Sequence, residues 1–103
     1  MIRIPRDAAA PVALTAEGSA VQVSKADPPP GYEEVGPVSV GHGEGCGSMG
    51  KAGSYEGAYA LLRNEAGKRG AHYVRLDVAV PPHSEQGCVV NTYLMQGIAF
   101  RRK

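Results

Sequence analysis

A chain of 103 residues is the length of one domain. With 43% hydrophobic and 20% charged residues it has a globular composition, which excludes a disordered chain. Its 11 basic and 10 acidic residues leave a net charge of +1, which excludes broad electrostatic attraction to nucleic acid or to an anionic membrane.

There is one Phe and no Trp, so the core must come from Val, Leu, Ile, Ala and the five tyrosines. So light a core in so small a domain would gain much from a covalent staple. No apolar run is long enough to span a bilayer. The start, Met1-Ile2-Arg3-Ile4-Pro5, has no signal-peptide hydrophobic region. Two readings stay open on that evidence: a cytoplasmic chain, or an exported one whose signal is not part of this sequence.

Residues 1–18 are rich in Ala and Pro without a period, and we read them as a flexible arm ahead of a single α+β domain over 19–103. Ser19 to Ser24 alternates apolar and polar residues and predicts a short strand. Asp27-Pro28-Pro29-Pro30-Gly31 breaks it as a rigid connection. Glu34 to Val40 predicts a second strand, which Pro37 confines to a sheet edge or a bulge. Glu33-Glu34 reads as a solvated turn pair.

Gly41 to Gly53 holds six glycines in thirteen residues and reads as a loop needing positive φ at several positions. Gly50-Lys51-Ala52 has no hydroxyl after the lysine and lacks the spacing of a phosphate loop.

Ser54 to Arg69 predicts the helix. Ser54 is the N-cap, Glu56 suits the first turn, and Ala58, Leu61, Leu62 and Ala66 form the buried stripe. Lys68 and Arg69 suit the last turn, and Gly70 is the stop. Ala71 to Val80 is the clearest strand. Its alternation puts His72, Val74, Leu76, Val78 and Val80 on one face, and Tyr73, Arg75, Asp77 and Ala79 on the other. Pro81-Pro82 ends it. Val89 to Arg101 predicts one long last strand, with Gly97 marking a bulge or a close backbone approach.

The expected fold is therefore β-β-α-β-β: a four-stranded mixed sheet with one helix packed on one face. The strands flanking the helix would run parallel through a crossover. The first two strands would form one hairpin and the last two another.

This topology bears on the two cysteines. Cys46 follows the second strand and Cys88 the third, so both loops would leave the same end of the sheet. A disulfide there would be worth on the order of 4 kcal/mol, a large share of a stability of about 5–10 kcal/mol. Buried free thiols are one alternative. A tetrahedral zinc set of His42, Cys46, His83 and Cys88 is another, although each half mixes one His with one Cys and lacks the short spacings zinc sites favour.

A cysteine nucleophile with His42 or His83 as base would need an oxyanion site that nothing here suggests. Glu44 and Glu56 do not form a convincing acid/base pair. His72 reads as a partly buried, hydrogen-bonded histidine, and Arg75 with Asp77 as a surface pair. Arg101-Arg102-Lys103 reads as a solvated basic terminus. No catalytic residue and no cofactor is expected.

Three passages carry a resemblance. They are Glu34-Val35-Gly36-Pro37-Val38 before the Gly/Cys loop, Ala58 to Ala66 continuing through Arg69-Gly70-Ala71-His72-Tyr73-Val74, and Gly97-Ile98-Ala99-Phe100-Arg101. Over residues 19–102 the chain resembles small bacterial envelope lipoproteins of unknown function. It also resembles the signalling domain of the outer-membrane lipoprotein sensor of the Rcs phosphorelay. The resemblance implies a four-stranded sheet with a packed helix, export to the periplasm or outer membrane, and a bridge at the positions of Cys46 and Cys88.

The sensor's second bridge has no counterpart, since the corresponding places lie near Asp77 and Met95, and the lipid-bearing cysteine is absent from this chain. Membrane association would come only through such an anchor. The implied function is a non-enzymatic exported domain that contacts other envelope proteins in stress sensing. A zinc-binding protein is the alternative.

Overall fold

The elements in chain order are α1 Ala16–Ser19, β1 Gln22–Ser24, β2 Tyr32–His42, α2 Tyr55–Lys68, β3 Tyr73–Val80, β4 His83–Glu85, β5 Cys88–Val90 and β6 Tyr93–Arg102. The computed structural model describes residues 8–46, 50–85 and 87–103. The fold is α+β. A four-stranded mixed sheet of order β1-β3-β6-β2 carries α2 on one face, and β4 and β5 form a separate two-stranded ribbon.

Local chemistry accounts for both ends of α2. Ser54 is extended, and its hydroxyl accepts the Gly57 N–H at 3.0 Å. At the other end Gly70 takes φ +79°, where only glycine is relaxed. The Gly70 N–H then reaches the Gly67 carbonyl at 2.9 Å and the Ala71 N–H the Ala66 carbonyl at 3.0 Å, the paired bonds of a Schellman stop.

Ala58, Leu62 and Ala66 of α2 are fully buried against Val21, Val38, Val74, Leu76, Met95 and Ala99. Leu61, expected in that stripe, is half-buried and lines a cleft with Val40 instead.

A second stripe of small residues lies on the opposite side of the helix. Residues 57, 60, 64 and 67 recur at helical spacing there, and Gly57, Ala60 and Gly67 are buried. A Cβ on Gly67 would run into the backbone of Glu17 and Gly18, so α1 crosses α2 at a distance only glycine permits.

Residues 8–18, expected as an arm, run along this side, and the expected boundary at 18/19 falls within α1. The Ala9 N–H donates to the Ala52 carbonyl at 2.8 Å. The Asn64 amide donates to the Ala13 carbonyl at 2.9 Å and accepts the Thr15 N–H at 2.9 Å. Residues 1–7 lie outside the described residues.

The expected hairpin of the first two strands does not form. β1 pairs parallel with β3 at one edge of the sheet, while β2 pairs antiparallel with β6 at the other. The intervening Lys25–Gly31 connection must cross about 14 Å of sheet, three strand spacings. Three consecutive prolines favour an extended span of that kind over a tight turn. On its way the connection offers the Ala26 carbonyl to the Tyr73 hydroxyl at 2.6 Å and the Asp27 carboxylate to Arg75 at 2.8 Å. The strands flanking α2 do run parallel, with β6 between them, and β3 and β6 do pair antiparallel.

Pro37 sits on edge strand β2, whose register shifts between Glu34 and Gly36. Glu33 and Glu34 belong to this strand and not to a turn. Arg101 donates to the Glu33 carboxylate at 2.7 Å, so the basic terminus is partly engaged.

In β3 the expected alternation fails past Leu76. The register against β6 shifts between Leu76 and Val78, opposite Gly97. A Cβ on Gly97 would collide with the Arg75 carbonyl, so glycine lets the two backbones close in at the bulge. Asp77 is the extra residue. Val78 and Val80 consequently pair with Gln96 and Leu94 on the sheet face opposite the helix, and Val78 is 38% exposed.

The predicted last strand is broken at Asn91-Thr92 into β5 and β6, and β5 pairs with β4. Two three-residue strands are too short to leave a readable period.

Candidate functional site

β2 and β3 are parallel, so the segments after them leave one end of the sheet together. There Cys46 and Cys88 form a disulfide with a Cα–Cα separation of 5.6 Å. Cys46 also bridges to Val90 of β5, which ties the glycine loop to the ribbon. Cys46 is exposed and Cys88 half-buried.

The loop is organised by backbone pairing. Glu44 and Lys51 exchange two N–H to carbonyl bonds of 3.0 Å each, closing the loop on itself. Gly43 at φ +96° and Gly45 at φ +79° make the turns that bring the two sides together. Residues 47–49 lie outside the described residues, so Gly47, read with the loop, carries no structural statement.

Asn91 sits at the centre and is fully buried. Its carbonyl accepts the Gly53 N–H at 2.8 Å, and its side-chain amide reaches the Gly45 carbonyl at 3.4 Å. A Cβ on Gly50 would overlap this amide, so the loop closes down on Asn91. No expectation attached to Asn91. One signal was available, a carboxamide directly after the apolar pair Val89-Val90.

His42 ends β2 and is 6% exposed. Nδ1 accepts the Ser54 N–H at 3.0 Å, and Nε2 lies 2.8 Å from the Ala10 carbonyl. Both ring nitrogens are thus occupied by backbone. His83 is exposed, its Nδ1 3.0 Å from the Pro81 carbonyl. Of the four residues weighed as a zinc set, the structure joins Cys46 and Cys88 to each other and turns His42 toward the start of α2. Among the described residues no group of three or more His, Cys, Asp and Glu side chains could hold a metal ion.

His72 is half-buried, and its Nδ1 accepts the Arg102 N–H at 3.1 Å. Glu56 is exposed on the first turn of α2, apart from the backbone-paired Glu44.

The other face of the sheet carries two features. At one end Tyr73 packs edge-on against Tyr32 and Phe100, with centroids 5.9 and 6.3 Å apart. Next to them Arg75 donates to Asp77 at 2.9 Å and to Asp27 at 2.8 Å. Hydrogen bonds to Asp77 first, and to Asp27, raise the guanidinium further above its ordinary value. Beyond this cluster Pro37, Ser39, Val78, Gln96 and Ile98 line a shallow open depression.

Among the described residues no helix is long and apolar enough to cross a membrane. No protein-family model, no curated protein and no solved structure matches the chain.

Proposed function

We propose that this chain is a non-enzymatic, exported domain of the bacterial envelope that works through contacts with other envelope proteins, with envelope stress as its setting. The observation that carries the reading is the sheet face opposite α2. Pro37 and Val78 are exposed there, and Val80, Leu94 and Ile98 are half-buried. Apolar surface of this kind, interrupted by Ser39 and Gln96 and flanked by an ionic cluster such as Arg75 with Asp27 and Asp77, marks protein contact sites. Export is supported by the disulfide, since such bonds persist in oxidising compartments. The resemblance to envelope lipoproteins supplies the stress-sensing role.

The test is site-specific photo-crosslinking in the native bacterium. A crosslinker at position 78 is expected to yield a discrete adduct with an envelope protein, and one at position 65 on α2 is not. Ile98→Asp should suppress the adduct while circular dichroism stays unchanged. Equal yields from both positions, or reduced cysteines in the natively isolated protein, would sink the reading.

A further inference from the structure

We propose that His42 is an acid-operated latch on residues 8–15, which lie as a strap along the side of α2 that faces away from the sheet. Backbone N–H groups only donate and carbonyls only accept. With the Ser54 N–H on Nδ1 and the Ala10 carbonyl on Nε2, the imidazole carries one proton, on Nε2, and is neutral. Gly57 makes room for the ring, because a Cβ there would overlap Nδ1 and Cε1.

A second proton has only Nδ1 to go to. There it meets the Ser54 N–H, donor against donor, at the N-terminal end of α2 where the helix dipole already repels positive charge. The imidazolium must therefore turn away, and turning gives up the Ala10 carbonyl as well. The charged groups on the elements around it are Glu56 on α2 and Glu44 and Lys51 on the loop, all exposed, with Tyr93 opposite on β6. The hydrogen bonds of the ring itself go to backbone.

The strap is built to come away as a unit. Its remaining clasps are the Ala9 bond to Ala52, one residue from Gly53 and two from Ser54, and the Asn64 amide on Ala13 and Thr15. Beneath it lie Gly57 and Ala60, and its own Val12 and Leu14 form one wall of a groove whose other wall is Tyr55, Glu56, Tyr59 and Arg63 of α2. Tyr55 on α2 is already 48% exposed, so lifting the strap, which carries Leu14 away with it, extends an existing apolar surface along the helix. The latched state holds one proton on the ring and the released state two. Falling pH therefore favours release, and rising pH restores the latch.

The experiment is an NMR titration of the full oxidised chain from mildly alkaline to acidic solution. It follows the imidazole nitrogens of His42 together with the amides of Ala9, Thr15 and Ser54. At the upper end Nδ1 should report as unprotonated. On acidification the three amides should shift and lose exchange protection in step with protonation of His42, while amides of β3 and β6 hold. His42→Gln should abolish the coupled response, and His72→Gln and His83→Gln should keep it.

Protonation of His42 with the strap amides unmoved would overturn the proposal. So would a ring that takes no proton before the whole domain unfolds, or a response that persists in His42→Gln. The ring and amide signals of the unmodified chain decide the matter even where His42→Gln fails to fold.

Discussion

Between α2 and the sheet, Leu62, Val74, Met95 and Ala99 are withdrawn entirely from water, and one apolar surface fills another. At the Cys46 end, Gly43, Gly50 and Gly53 instead meet the backbones of their neighbours around Asn91, closed by a disulfide. The first region gains its stability from burial, which is non-directional and shared by many side chains. The second rests on a few directional bonds and one covalent link, so its stability is local and each member can be removed separately. Loss of a core side chain should therefore weaken everything together, and loss of a clasp should open one end.

Cutting the link is expected to have the largest effect. Cys46→Ser removes a closure of 42 positions and should cost about 4 kcal/mol in denaturant unfolding. Hydrogen exchange should show the amides of Glu44, Lys51 and Gly53 losing protection well before those of Val74 and Ala99. A uniform loss would mean that the loop end and the core are one cooperative unit.

Leu62→Ala should cost roughly 3 kcal/mol, and here exchange in the sheet and the loop should rise together. Asn91→Ala removes the buried side-chain amide and its bond to Gly45, whose carbonyl keeps the Asn91 N–H at 3.3 Å. We expect about 1.5 kcal/mol, felt at the loop end alone.

Ser54→Ala sits at the junction of the two regions, because its hydroxyl caps α2 and its N–H holds His42. Only the hydroxyl is lost, so the expected cost is about 1 kcal/mol, with the Gly57 amide exchanging faster. Arg101→Ala removes an exposed ion pair with Glu33 and should shift the midpoint by less than about 0.5 kcal/mol. A larger loss there would show that the sheet edge carries stability the core was credited with.

How far each region could be read in advance follows from the same physics. α2 was visible because capping and stopping use short-range chemistry. Ser54 and Gly70 sit where local hydrogen bonding and positive φ require them, and the structure places the helix at Tyr55–Lys68 between them. Pro37, which has no N–H to give to a ladder, confined β2 to an edge or a bulge, and β2 is an edge strand with a register shift just before that proline. Parallel strands put the two cysteine loops at one end, which left free thiols and a zinc set open beside the disulfide that the structure contains.

Gly97 was legible as a bulge or close backbone approach, but that the extra residue is Asp77 of β3 was not, since it depends on which residue of a strand distant in sequence faces Gly97. The β4-β5 ribbon was too short to show a period. Asn91 and His42 were hidden because what makes them structural is the backbone around them. Nothing in the residue type separates a histidine that clasps a strap from one that binds a metal.

The amino-acid sequence by itself determined the α+β class and the helix with both of its ends, and it narrowed β2 to an edge or a bulge and brought the two cysteines to one end of the sheet. Each of these rests on interactions within a few residues, or on a constraint that one chain direction imposes. Only the tertiary structure decided the partner of β1, the turning of Val78 and Val80 to the open face, and the layer that residues 8–18 form outside α2. Those features arise where segments distant in sequence approach closely enough for a missing Cβ or a single backbone bond to choose between alternatives.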